Sequence, residues 1–487
     1  MITFKKIKLL LVNKVVLYLT TRYITYILLF VTTISIAVKL GPFYYGIWGF
    51  IMLLLNYFRN LNFGIPNSIN ILLVQSKNDK DLEARYVSSA MGLIGILSIC
   101  IVLIAVYYYL CGGSIFEKYQ MGNFFYIVCI IAIFQNVNNL FSMIYRVKNR
   151  LLELSIYQSA TPVLTFVAVL VVKDNLLLKI LLATYLLTNI FSFCFFLIRK
   201  QILFNVKLLW KETWKVLAKG FYLFIYNCCF YLMLISIATI VSIFYSVEEY
   251  GYYSFAYTLS NSVLLFLEAF NFIIFPKVID KLYSKNEEEI NRTITAIRVN
   301  YVSLSHGLMY MAYAVFPLFI YFIPKYQTAL MGLNITSLSI LLYTNAFGYN
   351  SFLMAQNREK LISKISGFAL FLNVTVGLLL AWFFHVNYVY VIIGTMIGYF
   401  VFAYLCVYYG KRFMNQPTTF IDVMKDCFPI SLCVPYFVAI IVSVMQISYL
   451  SFVPLLIFIV FNQSTMKEIL KTGRRIIVNP NMIDVEN

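Results

Sequence analysis

The sequence predicts an all-α membrane protein of about fourteen transmembrane helices, built as two six-helix bundles related by a pseudo-twofold axis, with two additional C-terminal helices. Three observations lead there. Apolar stretches rich in Leu, Ile, Val, Phe and Tyr recur from Val15 to Phe461, each near the ~20 residues a helix needs to cross about 30 Å of hydrocarbon. Cations alternate between the gaps, with 31 of the 38 Lys and Arg in or at the edge of every second one and only five in the others. The first half of the chain also recurs, in outline, in the second.

The predicted spans are 15–38, 43–73, 86–111, 122–145, 154–172, 176–198, 220–245, 251–275, 299–323, 329–354, 362–384, 387–409, 428–446 and 448–465. Lys5, Lys6, Lys8 and Lys14 precede the first, which runs on through Val38 without an A-x-A-like cleavage site. It therefore reads as a retained span, not a signal peptide. Three cations follow span two, three follow span four, six follow span six, five follow span eight, three follow span ten, three follow span twelve, and four lie beyond Phe461. The intervening gaps hold only Lys39, Lys118, Lys173, Lys179 and Lys325, so the positive-inside rule places both termini in the cytoplasm. The remaining two cations, Arg22 and Arg59, lie inside spans.

No soluble domain fits between the spans. The two longest gaps, Arg199–Lys219 and Lys277–Arg298, are basic and expected to be cytoplasmic. In the first, KLLWKETWKVLAK puts Trp210, Trp214 and Leu217 on one helical face with Lys on the other, the pattern of a helix lying in the membrane interface. The expected division is residues 1–219 as an N-terminal six-helix lobe with this linker helix, 220–410 as a C-terminal six-helix lobe, and 411–487 as two further helices and a cytoplasmic tail.

With 62% hydrophobic and 12% charged residues and a mean hydropathy of +0.83, the chain is not a soluble globule. Its net charge of +18 is explained by topology and by anionic lipid headgroups, not by nucleic acid. The nine Cys are scattered, and the adjacent pair Cys228 and Cys229 has no nearby His, which argues against a zinc site or a disulfide framework. No paired carboxylates, nucleotide-binding Gly-rich loop or metal cluster is present, so no enzyme and no cofactor is expected.

The repeat rests on three matches in the same order. Tyr45-Gly46 pairs with Tyr250-Gly251, with Phe50 over Phe255 and Asn56 over Asn261; Tyr86-Val87-Ser88 pairs with Tyr301-Val302-Ser303; Asn149-Arg150 pairs with Asn357-Arg358. A duplication of six spans keeps both copies in one orientation, which predicts an axis along the membrane normal, a cavity near the midplane and alternating access.

The KLGPFYYGIW segment after span one, NLNFGIPNSI closing span two, FPKVIDKL closing span eight and AQNREKLISKIS opening span eleven resemble polysaccharide-biosynthesis flippases of the Wzx type, in the multidrug/oligosaccharidyl-lipid/polysaccharide exporter superfamily. The resemblance covers nearly the whole chain. It implies a flippase that moves an undecaprenyl-diphosphate-linked oligosaccharide from the cytoplasmic to the outer leaflet of the bacterial inner membrane, for O-antigen, capsule or a related glycan. It also implies contact with membrane lipids and points to a glycan polymerase and a chain-length regulator as partners. Drug exporters of the superfamily resemble this layout but typically rely on acids in the first or seventh span. Spans 15–38 and 220–245 contain none, and Arg22 occupies the first. A multidrug or cation exporter, and less readily a membrane glycan polymerase, are the alternatives.

Arg22 and Arg59 are the candidate substrate-binding residues. Arg22 lies about seven residues into span one, roughly 10 Å deep, and Arg59 about seventeen residues into span two from the outer side. A cation at such depth costs about 2.5–3.5 kcal/mol unless it faces protein or water. Two Arg could clamp a diphosphate through paired hydrogen bonds; snorkelling to headgroups is the structural alternative. Glu268, the isolated acid of the second half, and His306 are candidates for coupling to H⁺ or Na⁺, against simple pairing and interhelical hydrogen bonding respectively. Tyr23, Tyr26, Asn56, Asn70 and Asn271 are candidate cavity residues. Pro66, Pro162, Pro276, Pro317, Pro324, Pro429 and Pro435 are expected kinks or helix ends.

Overall fold

A glycine followed by a proline breaks the first helix. In the computed structural model, which describes residues 14–76, 79–199, 201–202, 207–219, 221–283 and 287–467, helix α1 (Lys14–Asn60) is interrupted at Gly41 (φ 69°, ψ 170°), with Pro42 next. Gly tolerates this positive φ and Pro removes an N–H from the ladder, so 47 residues, about 70 Å of helix, become two arms. These arms carry the first two predicted spans. The chain divides into two compact units, Met1–Cys228 and Cys229–Asn487, and no strand occurs among the described residues.

In the first unit α1 is followed by α2 (Ile65–Gln75), α3 (Lys80–Leu110), α4 (Phe124–Val147), α5 (Leu151–Val171), α6 (Asp174–Ile198) and α7 (Trp210–Lys219). The predicted span 43–73 is split between α1 and α2. Phe63 and Gly64 take φ values of 49° and 70°, Asn62 Oδ1 accepts from Gly64 N at 3.0 Å, and Pro66 sits in the first turn of α2, where its missing N–H is harmless. Asp79 caps α3 by accepting from Leu82 N. Lys39 donates to the carbonyls of Val169 and Val172 at 2.7 and 2.9 Å, a cation on the C-terminal end of α5 where the helix dipole favours it.

One core of this unit gathers Ile69 and Leu73 from α2, Val87 from α3, Phe141 from α4, Phe196 from α6 and Val216 from α7. Helix α7 therefore docks through Thr213 and Val216, both buried, while Trp210 and Trp214 are 83% and 64% exposed. The docked face is thus not the expected Trp210–Trp214–Leu217 face, whose indoles are turned away from the protein.

The second unit begins within α8 (Phe221–Phe244) and continues through α9 (Val247–Leu282), α10 (Glu287–Ile297), α11 (Ser303–Tyr321), α12 (Leu330–Thr344), α13 (Tyr349–Ala355), α14 (Glu359–Leu378), α15 (Tyr388–Val391), α16 (Ile393–Phe413), α17 (Phe420–Cys427), α18 (Ile430–Val444) and α19 (Val453–Phe461). Predicted span ten is bent by 41° between α12 and α13, where Gly348 takes φ 95°. Helices α17 and α18 meet at 74° across Pro429.

Among the described residues, nine helices are long and apolar enough to cross a membrane, or eleven if each bent pair is one span. The count differs from fourteen for identifiable reasons. The two arms of α1 count once, α9 is not among the helices counted, and the last predicted span holds a short 3₁₀ turn and the nine residues of α19 before a turn at Asn462, about 14 Å of α-helix.

The repeat has local counterparts. Asn149 and Asn357 both take φ 54°, and in each case the following Arg N–H closes the helix end, on Tyr145 O and Leu353 O, both at 2.9 Å. Tyr45, Phe50, Tyr250 and Phe255 are all buried.

Candidate functional site

Residues spaced four apart share a helix face, and on α1 that face carries Tyr18, Arg22 and Tyr26. Arg22 is half-buried. Its Nη2 donates to Tyr26 Oη at 2.6 Å, with the guanidinium carbon 4.5 Å from the Tyr26 ring centroid. The neighbouring helix α5 supplies matching polar groups. Tyr18 Oη donates to Gln158 Oε1 at 3.1 Å, and Thr25 Oγ1 lies 2.8 Å from Ser159 Oγ.

The Tyr18 phenol lies within electrostatic reach of Arg146, at the end of α4, as well as of Arg22. Cations from two helices thus act electrostatically on one buried tyrosine. Arg146 was not singled out from the sequence, where it counts simply as a loop cation beside Lys148 and Arg150.

The break at 61–64 moves Arg59 from the expected mid-span position to the last turn of α1, where a cation is favoured by the helix dipole. Its side chain is exposed and in electrostatic reach of Tyr157. Tyr157 packs on Phe196 in the core of this unit, while its neighbours Gln158 and Ser159 meet Tyr18 and Thr25. Guanidinium groups among phenol and hydroxyl donors are chemically suited to a phosphate or diphosphate.

His306 is fully buried in α11. Its Nε2 is 3.0 Å from Asn345 Oδ1 and its Nδ1 3.3 Å from Tyr310 Oη, so a neutral ring with its proton on Nε2 satisfies both. This is the interhelical hydrogen-bond arrangement. The Asn345 carbonyl accepts in turn from Arg298 Nη1 at 2.8 Å, and Arg298 also donates to the Asp426 carbonyl. Lys411 Nζ and Tyr349 Oη both reach Asp426 Oδ2 at 2.7 Å. Arg298, Tyr349 and Asp426 line a cavity of about 440 Å³. None of these three was foreseen, because Arg298 and Asp426 look like ordinary loop charges in the sequence.

Glu268 belongs to α9, but its side chain, like those of Asn271 and Pro276, lies outside the described residues. Asn149-Arg150 and Asn357-Arg358 are helix-ending structures. Among the described residues no group of three or more His, Cys, Asp and Glu could hold a metal ion.

A family model described as polysaccharide biosynthesis protein matches residues 11–280. No curated protein matches the chain. Several solved structures share the fold at low identity. An inward-facing multidrug resistance MATE family transporter of the MOP superfamily is 12% identical with a TM-score of 0.64, covering 82% of this chain and 98% of its own. A MOP superfamily transporter from Pyrococcus furiosus is 13% identical with a TM-score of 0.55, covering 85% and 98%. The lipid II flippase MurJ, in an inward closed conformation, is 12% identical with a TM-score of 0.56, covering 94% and 99%. The fold is thus that of the MATE-like MOP transporters. Since the family match runs over more than half of the sequence, from α1 into α9, and takes in every arginine of the cationic face, the chain belongs to the polysaccharide biosynthesis protein family.

Proposed function

We propose that this protein is a flippase that carries an undecaprenyl-diphosphate-linked oligosaccharide from the cytoplasmic to the outer leaflet of the bacterial inner membrane by alternating access, supplying O-antigen, capsule or a related surface glycan. The observation that carries the reading is Arg22, half-buried in the first predicted span and held on Tyr26 by a 2.6 Å hydrogen bond, with Arg146 in electrostatic reach of Tyr18 on the same face. A diphosphate is the part common to all such substrates, and guanidinium recognises its oxygens in pairs. MurJ, of the same fold, is a lipid II flippase, a precedent for lipid-linked cargo. Both termini are taken as cytoplasmic, with H⁺ or Na⁺ coupling through Glu268 and a glycan polymerase and chain-length regulator as downstream partners.

A drug or cation exporter fits less well. An Arg stands in the first span and no acid in the first or seventh, so a cationic drug would meet like charge. The Pyrococcus furiosus transporter is described as having a binding pocket of reverse polarity that suggests a different function, which shows that this fold admits such a change. The test is Arg59→Ala in cells: surface glycan is expected to be lost while the protein stays inserted, with Arg59→Lys restoring only part, because Lys lacks the bidentate fork. Full glycan display in Arg59→Ala would reject the role of this residue, and altered drug susceptibility with normal glycan would favour the exporter.

A further inference from the structure

At the end of the second unit where α9, α12 and α15 begin and α18 ends, a cavity of about 650 Å³ opens, within the size range of small-molecule sites, about 300–1,000 Å³. Its lining differs in kind from the arginine-bearing face. Four amides project from separate elements, Gln327, Asn334, Asn387 and Gln446, together with the rings of Tyr252, Tyr388 and Tyr390, and no Lys or Arg is among the lining residues. Glu249 is the one ionic group, and Ser246 holds it through its N–H and hydroxyl at 2.9 and 2.7 Å.

Two of these side chains carry an unpartnered oxygen. Asn334 and Tyr388 are 5% and 4% exposed, yet Asn334 Oδ1 and Tyr388 Oη make no hydrogen bond. Buried polar oxygens are ordinarily bonded, and leaving one unmet is unfavourable by about 1–3 kcal/mol. The tyrosine is also deliberately seated, since its ring and hydroxyl lie over Gly332, where an added Cβ would stand 3.5 Å away. Asn387 fixes the start of α15 by accepting from Val389 N at 3.1 Å.

We propose that this cavity is a binding subsite for an uncharged saccharide, a reading that rests on the flippase assignment and deepens it. Amides both donate and accept, as sugar hydroxyls do, and the less buried Tyr252 and Tyr390 offer flat apolar surface to the C–H side of a sugar ring. The absence of a lining cation disfavours a diphosphate or a uronic acid. By the distribution of cations along the chain, this end faces outward, so the subsite would receive the glycan as it leaves the cytoplasmic side.

The test uses the full chain in lipid nanodiscs and saturation-transfer NMR with cellobiose and diacetylchitobiose, against pyrophosphate and tetramethylammonium as counter-probes. Tyr388→Phe and Asn334→Leu are each expected to weaken disaccharide binding about threefold to tenfold, the effect of losing one hydrogen bond, with no fall in melting temperature. Should Asn334→Leu fail to fold, the nearly isosteric Tyr388→Phe decides alone. Wild-type protein that binds neither disaccharide, variants that bind as wild type does, or a preference for tetramethylammonium would each overturn the proposal. Those results are read without transport and without the arginines of the first unit, so the flippase assignment is tested separately, by translocation of a lipid-linked glycan.

Discussion

Phe50 lies flat on Tyr119, with ring centroids 3.9 Å apart and planes 7° apart. The second unit repeats the pairing with Phe255 and Tyr326, 4.3 Å apart and tilted by 39°. Tyr119 and Tyr326 each sit in a short 3₁₀ turn within the same tripeptide, Lys118-Tyr119-Gln120 and Lys325-Tyr326-Gln327. The internal duplication thus extends to a loop and to the aromatic contact that anchors it.

Phe255 and Tyr326 are both fully buried, so Phe255→Ala is expected to lower stability by about 3–5 kcal/mol, through lost contacts and the cavity left behind. Phe255→Leu should lower it by less. Equilibrium unfolding in mixed micelles measures both, and equal losses would contradict this volume argument and assign the effect to the aromatic contact itself.

Asn357, like Asn149, ends its helix with φ 54°, a conformation Gly adopts freely and β-branched residues resist. Asn357→Gly is expected to leave the melting temperature nearly unchanged, whereas Asn357→Val should destabilise by roughly 1–2 kcal/mol. A harmless Val would contradict the assigned backbone.

Lys148 Nζ bridges Glu83 Oε1 and Oε2 at 2.7 and 2.8 Å, with the two side chains 28% and 4% exposed. Removing one partner strands the other, a change of about 3–5 kcal/mol for a buried pair. Lys148→Met, which strands the buried Glu83, should therefore destabilise the first unit strongly, and Glu83→Leu combined with Lys148→Met should recover part of the loss. Independent, additive effects in that double-mutant cycle would show that the pair is not coupled.

Much of this fold is legible from apolar length and charge alternation, because backbone groups in hydrocarbon must be satisfied within a helix. The boundary between the first two spans falls correctly about Gly41. The break at 61–64 was missed because Leu61, Phe63 and Ile65 keep the run apolar while Gly64 supplies the turn. Site residues were less legible. Arg146 and Arg298 sit at span ends, where a cation that serves topology and one that turns into the protein look alike until tertiary packing fixes side-chain direction. Tyr119 and Tyr326 escaped notice because their tripeptide lies in loops, outside the spans used to align the halves.

Glu268 is proposed to carry the coupling ion or proton. Glu268→Gln is expected to stop concentrative export while binding of the lipid-linked substrate persists, since the amide preserves shape and removes charge. If the acid instead neutralises an arginine, the same variant lowers the melting temperature. Export, binding and melting measured on this one variant separate the two, and wild-type values in all three would remove Glu268 from the mechanism.

The central claim is that arginines of the first unit recognise a diphosphate on a lipid-linked glycan. The most direct measurement is translocation of a polyprenyl-diphosphate-linked oligosaccharide between leaflets of proteoliposomes, read by accessibility of the glycan to an external lectin. Wild-type protein is expected to accelerate translocation, Arg22→Ala to lose at least tenfold, a step of about 1.4 kcal/mol, and Arg22→Lys to recover only part. No acceleration by the wild-type protein, or an undiminished rate in Arg22→Ala, would contradict the account.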